Sequence, residues 1–304
     1  MKIVNTFLYI LATSYAVSSS ADPVAPSDLS PGFSWPNGAK AAISLSYDDA
    51  LPSQLDNAVK HLNNSNLKGS FYLTLSAPTI KNRLAEWQAV AAHGHELANH
   101  SINHPCRASL PNREWVEDKN DLDNITVTDY LAEILTANRW LNSIDGETKR
   151  TLTLPCGDAL IGSSISTNTY SEKHNEKGSK KNKGKLRLDG VSILPLLTRY
   201  FVGIKTSVSD LPTPKTQLNT HNVAVWAPSN TDGHALIGYA KKAASNGGIG
   251  NYTFHGIGGD HLAISNKAHQ TLLTHLANNP NIYWVATFKE IAQYIHSQRA
   301  LQGD

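Results

Sequence analysis

Apolar positions along the chain fall into two kinds of pattern: short continuous runs, and longer stretches spaced by three and four residues. The runs at 42–47, 69–75, 95–99, 150–155, 200–205, 252–254 and 282–286 predict strands. Between them the spacing predicts helices. Residues 52–66 repeat Leu55, Val59 and Leu62 behind a first-turn Pro52. Residues 127–144 form a long amphipathic pattern with Tyr130, Leu131, Ile134, Leu135, Trp140 and Leu141 apolar. Further helices are predicted over 80–92, 233–244, 266–277 and 288–298. No internal repeat is visible. Strand–helix alternation predicts a parallel α/β architecture, open or closed into a barrel.

The first residues break this pattern. Lys2 precedes an apolar run over 3–17, interrupted by Asn5, Thr6, Thr13 and Ser14, and small residues follow at 18–21. This is the order of a secretory signal peptide over 1–21, with Ser19 and Ala21 meeting the small-x-small rule for cleavage after Ala21. The run is shorter than the roughly 20 residues a membrane span needs, so no stable membrane insertion is expected. The mature chain is expected to be secreted or periplasmic. Residues 22–40, rich in Pro, Ser and Asp, read as an extended lead-in to one domain over 41–299.

Composition acts mainly by exclusion. The 27 Lys and Arg nearly balance the 25 Asp and Glu, and a net charge of +2 implies no strong field for nucleic acid. An apolar share of 40% supports a sizeable core and excludes a disordered chain. Two cysteines cannot staple a small disulfide scaffold or build a four-thiolate zinc site. Residues 171–187 carry seven Lys or Arg and read as a solvated loop, with contact to an acidic polysaccharide as the sharper alternative.

Four predicted strand ends gather polar residues, and chemistry in α/β folds sits at the C-terminal ends of strands. The first is Tyr47, Asp48 and Asp49, where one carboxylate can bind a cation while its neighbour stays free as a base. Without further context the pair would read as a helix cap. The second runs from His95 to Pro105, with His100 and His104 four apart. On a helical turn that spacing puts both imidazoles on one side, a geometry for metal-ligand histidines. With the Asp pair it suggests a 2-His-1-carboxylate site. His93 and His95 read as structural. The third is Pro155, Cys156 and Gly157, whose turn exposes backbone N–H groups for an oxyanion. The fourth is His255, ending a strand ahead of the glycine-rich stretch 256–259, a candidate general acid tuned by a partner such as Asp260. That stretch lacks the spacing and the Lys-Ser/Thr ending of a phosphate cradle.

Together these residues resemble the polysaccharide deacetylase family, the carbohydrate esterases with a nodulation-protein-B-like domain. Ser46-Tyr47-Asp48-Asp49 is similar to the family's first motif, and 94–105 to its second almost residue for residue. Phe254-His255 is similar to the fifth, and 68–73 to the strand usually found between the first two. The resemblance spans roughly 40–295 and implies an irregular (β/α) barrel. It implies that Asp48 is the catalytic base, that Asp49, His100 and His104 bind a divalent metal, zinc being the expected one, and that His255 is the general acid. The third motif departs from the family's Arg-x-Pro-Tyr-Gly: Thr153 stands at the Arg position and Cys156 at the Tyr position. The Arg that normally steadies the catalytic Asp is thus unassigned, with Arg150 and Arg199 as candidates. The backbone N–H of Cys156 keeps the oxyanion role. The fourth motif is not placed; Trp226 is a candidate pocket wall and Tyr47 a candidate substrate contact. The resemblance also brings Cys106 and Cys156 near each other, and a Cys106–Cys156 disulfide is expected, the alternative being Cys156 as a nucleophile or extra ligand.

The implied activity is that of an exported metal-dependent hydrolase that removes N-acetyl groups from a chitin- or peptidoglycan-like glycan. Within the same chemistry the alternative is an O-acetyl polysaccharide esterase, acetylxylan esterase-like. From another class comes a non-catalytic glycan-binding protein on the same fold, to which the missing Arg lends weight and the intact Asp48 does not. Hydrolysis of small cyclic amides fits an exported chain poorly.

Overall fold

A computed structural model describes residues 33–162 and 190–301. The expected signal peptide over 1–21 and the basic segment 171–187 lie outside the described residues. The central strand is β1 (Ala41–Asp48), all eight of whose residues are buried, as in a parallel strand covered on both faces. Alternation divides them. Ile43, Leu45 and Tyr47 face the helices, in one apolar cluster with Leu62, Trp87, Tyr239 and Leu272, while Ser44, Ser46 and Asp48 take the opposite, inner face.

Around it stand β2 (Ser70–Leu73), β3 (Glu96–Asn99) and β4 (Thr151–Thr153). A small antiparallel pair follows, β5 (Leu160–Ile161) with β6 (Val191–Ser192). The barrel continues through β7 (Gly203–Val208), β8 (Val223–Val225) and β9 (Ile249–Phe254), and β10 (Tyr283–Val285) is added last. β9 runs the length of β1, from Ala42↔Ile249 to Tyr47↔Phe254. On the other edge of β1, β10 takes the first half at Ala41↔Tyr283 and β2 the second at Ser46↔Ser70. A parallel bridge at Trp226↔Tyr252 brings the end of β8 onto β9. The result is one mostly parallel sheet of eight strands, of which β1–β4 and β7–β9 make a nearly closed seven-strand barrel wrapped by helices, the (β/α) barrel expected from the motifs.

The helices are α1 (Val59–Asn64), α2 (Pro78–Asn82), α3 (Leu84–Ala92), α4 (Val127–Asp145), α5 (Leu194–Leu197), α6 (Gly233–Asn246), α7 (Asn266–Ala277) and α8 (Phe288–Leu301). Side chains of Thr126, Asp232 and Ser265 cap the first turns of α4, α6 and α7. Several boundaries differ from expectation. The helix expected over 52–66 opens with a π-type turn at Gln54–Ala58. That over 80–92 breaks at Arg83, whose φ of −133° is not helical and whose guanidinium is held by Asp56 and Glu86. The strand expected over 200–205 is displaced to β7, and β8, three residues long, was too short for a periodic signal. The lead-in is not wholly extended. Phe33 and Trp35 are buried against Trp284 and Tyr294, and Trp35 Nε1 donates to Gly247 O at 2.8 Å. Among the described residues no helix is long and apolar enough to cross a membrane.

The barrel interior is polar for its size. Glu96 accepts from Ser70 Oγ at 2.7 Å, Thr151 Oγ1 at 2.5 Å and the Lys289 N–H at 3.0 Å, which ties the floor of the barrel to the start of α8. Such a network is tolerable because its members satisfy one another.

Candidate metal centre and active site

Alternation along β1 turns Asp48 into the barrel mouth at the C-terminal strand ends. Asp48 is almost fully buried, and its Oδ1 finds no hydrogen-bond partner among the described residues. The chain then leaves the strand through two left-handed residues, Asp49 at φ 80° and Ala50 at φ 55°. This swings the Asp49 carboxylate into a ring of imidazoles. His100 Nε2 lies 3.4 Å and His104 Nε2 3.5 Å from Asp49 Oδ1, while His261 Nε2 lies 2.9 Å and His255 Nε2 3.9 Å from Asp49 Oδ2. His100 Nε2 is also 3.9 Å from Asp48 Oδ2.

The histidines meet by a route other than the helical turn expected from their spacing. Residues 100–104 form no helix; Ser101 and His104 have φ of 66° and 54°. The His104 N–H donates to Ser101 Oγ at 2.9 Å, and the Asn103 N–H to Glu133 Oε1 at 2.8 Å. A tight loop therefore does what a helix face would have done.

These residues fit a metal ion. Ligand atoms of Asp49, His100 and His104 all lie within 4.8 Å of one another. The 3.4 and 3.5 Å separations match the edges of a tetrahedron with bonds of about 2.0–2.1 Å. His100 Nδ1 donates to Thr153 O at 2.8 Å, so in the neutral ring that a metal ligand requires it is Nε2, facing Asp49, that carries the lone pair. The other cysteine–histidine grouping, His104 with Cys106 and Cys156, is not open to a metal. Cys106 and Cys156 are disulfide-bonded, with Cα atoms 5.9 Å apart. The expected bridge is formed, and Cys156 is neither nucleophile nor ligand.

The electrostatics separate the two carboxylates. Burial pushes Asp48 up to about 6; the Asp49 charge adds to this, while His100 and Lys205 oppose it. Burial acts the same way on Asp49, yet hydrogen bonds from His100 and His261 hold it well below the carboxylate range. Burial disfavours the His100 cation, but Asp48 and Asp49 outweigh it and lift His100 to about 9. Burial lowers His104 and His255 to about 4.

Sequence reasoning missed two residues. Lys205 on β7 is fully buried; its Nζ donates to Ser46 Oγ and to Ser44 Oγ (3.3 Å) and lies 5.0 Å from the Tyr72 ring centroid and 4.8 Å from that of Phe288. In the β4–β7 register Lys205 stands opposite Thr153. Its charge lowers Asp48, while burial lowers Lys205 itself to about 8. Neither Arg150 nor Arg199 takes the place of the missing Arg: Arg150 pairs with Asp145 and donates to Leu97 O at the far end of β4, and Arg199 is exposed. A lysine on a strand with no local motif gives no sequence signal. The second missed residue is His261, whose proximity to Asp49 depends on how the loop after β9 folds back.

Other expected contacts are corrected. Tyr47 points away from the mouth, is fully buried, stacks on Phe71 at 4.8 Å and bonds His269 Nε2 at 2.7 Å. Trp226 packs on Tyr239 and Tyr252, outward residues of the helix–strand interface, and not on the site. Asp260 does not tune His255, because its carboxylate accepts the Ser53 N–H at 2.8 Å. In the turn at Pro155–Gly157, Cys156 has φ 57°; Gly157 and Asp158 N–H go to Leu154 and Pro155 carbonyls, and the Cys156 amide stays the oxyanion candidate. Gly157 is required there, since a Cβ would stand 2.9 Å from Thr206 O. A cavity of about 80 Å³ opens beside the cluster, lined by Cys156, Lys205, Val208, Thr253 and His255. A larger cleft of about 390 Å³, around Gln88, Glu96 and Lys289, lies at the opposite end of the barrel.

With this geometry in place, comparison with known proteins is informative. Residues 36–174 match the model of the polysaccharide deacetylase family. No curated relative matches the chain. A crystal structure from Mycobacterium smegmatis, assigned to the polysaccharide deacetylases, is 13% identical, covers 91% of this chain and 96% of its own, and superimposes with a TM-score of 0.57. The Xyl-CE4 domain of a multidomain xylanase from the hindgut metagenome of Trinervitermes trinervoides is 17% identical over 85% of this chain and 92% of its own, with a TM-score of 0.49. A peptidoglycan deacetylase from Bacillus subtilis is 13% identical over 86% of this chain and 95% of its own, with a TM-score of 0.46. The likeness of fold rests on the first of these. The resemblance seen in the motifs is borne out: over residues 36–174 the chain matches the polysaccharide deacetylase family, on a (β/α) barrel of the kind its motifs implied.

Proposed function

We propose that this protein is an exported, metal-dependent deacetylase that hydrolyses N-acetyl groups of a glycan. One observation carries the reading: a three-ligand cluster of Asp49, His100 and His104 adjoins a buried carboxylate, Asp48, with an unpartnered oxygen. A structural ion site has no need of that free oxygen. Asp49 Oδ1 and the Nε2 atoms of His100 and His104 would hold the ion. A divalent cation bound there supplies Lewis acidity, polarising an acyl carbonyl and acidifying a water.

The remaining work belongs to the chain. Asp48 accepts the proton of the attacking water. Lys205, hydrogen-bonded to Ser44 and Ser46 on the same face of β1 and lowered by burial to about 8, would supply positive charge in place of the one that the Thr153 departure removed. The Cys156 N–H, in a turn braced by the disulfide, would receive the tetrahedral oxyanion. His255, on the Oδ2 side of Asp49 and neutral near pH 7, would relay to the leaving nitrogen the proton that Asp48 took from water. An O-acetyl ester would pass through the same steps with an oxygen leaving.

The test is acetate release from a panel of N-acetylated and O-acetylated glycans, before and after chelation and zinc re-addition. Chelation-sensitive release from N-acetylated members supports the proposal. Release confined to O-acetylated members replaces it with the esterase. Full zinc occupancy with no release from any member replaces it with a glycan-binding role.

A further inference from the structure

We propose that His261 is a positioning residue of the metal centre, donating its Nε2–H to Asp49 Oδ2 so that Oδ1 is turned toward His100 and His104. The inference rests on the metal reading of the Asp49 cluster. His261 Nε2 lies 2.9 Å from Asp49 Oδ2, the shortest contact that carboxylate makes with any of the four imidazoles around it. His261 stays outside the group whose ligand atoms lie within 4.8 Å of one another. It therefore holds the ligand rather than the ion, the part that outer partners of metal carboxylates play.

The loop that carries it is built for this placement. The Gly256 N–H donates to His261 O at 3.1 Å and the Ile264 N–H to Gly256 O at 3.1 Å, folding the loop back on the end of β9. A Cβ at Gly256 would stand 1.9 Å from Gly259 O, so only glycine permits the fold. Asp260 and Asn57 tie the loop to the segment after β1, through the Ser53 N–H at 2.8 Å and Ile257 O at 2.7 Å. The residues on either side of His261 are left-handed without being glycine, Asp260 at φ 63° and Leu262 at φ 48°. Backbone strain of this kind persists where surrounding structure enforces it, often at functional sites. Burial does not repay it here, since Leu262 is 53% exposed and the His261 side chain 55%. What the strain secures is the contact with Asp49, itself on a left-handed residue.

The test is zinc affinity of the full chain, measured without substrate by competition with a chromogenic chelator. His261→Ala should bind zinc about 10- to 100-fold more weakly. His261→Gln, which keeps an N–H donor, should recover most of that loss. An Ala variant with wild-type affinity overturns the proposal. So does a loss equal to that of His100→Ala in both the Ala and Gln variants, which would make His261 a direct ligand. A wild-type chain that takes up no zinc overturns this inference and the metal reading together. Zinc uptake without acetate release overturns the deacetylase reading alone.

Discussion

Asp48 and Asp49 are neighbours in sequence with opposite surroundings. Asp48 is sealed in the barrel with an unpartnered oxygen, and Asp49 is ringed by hydrogen-bonding imidazoles. Two carboxylates in such different environments take different roles. Replacing Asp48 with Asn should lower turnover by about 10²- to 10⁴-fold, the usual worth of a general base, with zinc stoichiometry unchanged. Asp49→Asn should instead lose the zinc. Kinetics paired with metal analysis of the two variants separates these outcomes. Lys205→Met removes a buried charge that lowers Asp48, so it should move the acid limb of the kcat–pH profile upward and reduce the rate on that limb. KM should change little, and Lys205→Arg should restore part of the rate. At this scale the gathering of Asp48, Asp49, His100 and His104 was legible because they occupy contiguous motifs. Tyr47 was misread although the period-two rule held the answer: if Asp48 faces inward, Tyr47 faces out. Lys205 and His261 were not legible, since Lys205 meets Ser44 and Ser46 only through the closure of the barrel, and His261 meets Asp49 only through the folding of a loop.

At the scale of elements, the disulfide and a buried histidine set the stability of the frame around the site. Cys106 and Cys156 are 50 residues apart in sequence. Closing a loop of that length contributes about 4 kcal/mol in the chain-entropy view. Replacing both cysteines with Ser should lower unfolding free energy by roughly that amount, read from full urea curves, with a larger m-value because the unlinked unfolded chain exposes more surface. His269 of α7 links β1 to α1: Nε2 meets the Tyr47 hydroxyl at 2.7 Å, and Nδ1 lies 3.0 Å from His61 Nδ1. Burial, with a smaller effect from His61, depresses His269 to about 3 from an ordinary value near 6.5. The folded state then binds fewer protons than the unfolded one between those values. Its contribution is whole above about pH 6.5 and is lost as pH falls toward 3, by roughly 1 kcal/mol per pH unit. His104 and His255 add slopes of the same sign, so between pH 7 and 4 His269→Gln should reduce the fall in stability by about the His269 share, read from urea midpoints. Long periodic helices such as α7 were legible to the residue. The break at Arg83 was not, because it depends on a guanidinium reaching Asp56 and Glu86.

For the molecule as a whole, the alternation of strands and helices announced a parallel α/β fold, and the motifs gave its barrel closure. Chain-end contacts were beyond such reading: Phe33 and Trp35 look like a polar lead-in by composition and are buried by partners some 250 residues away, as with Trp284 and Tyr294. The barrel gathers residues from β1, β3, β4, β7 and β9 at one mouth, so its chemistry stands or falls as a unit. The most direct measurement is a zinc titration of chelator-stripped protein, with acetate release from an N-acetylated oligosaccharide read at each step. A metal-dependent deacetylase starts silent, rises to a plateau at one equivalent of zinc, and shows no rise in the Asp48→Asn variant. Undiminished release from the stripped protein, or a zinc-filled protein that releases no acetate, would contradict it.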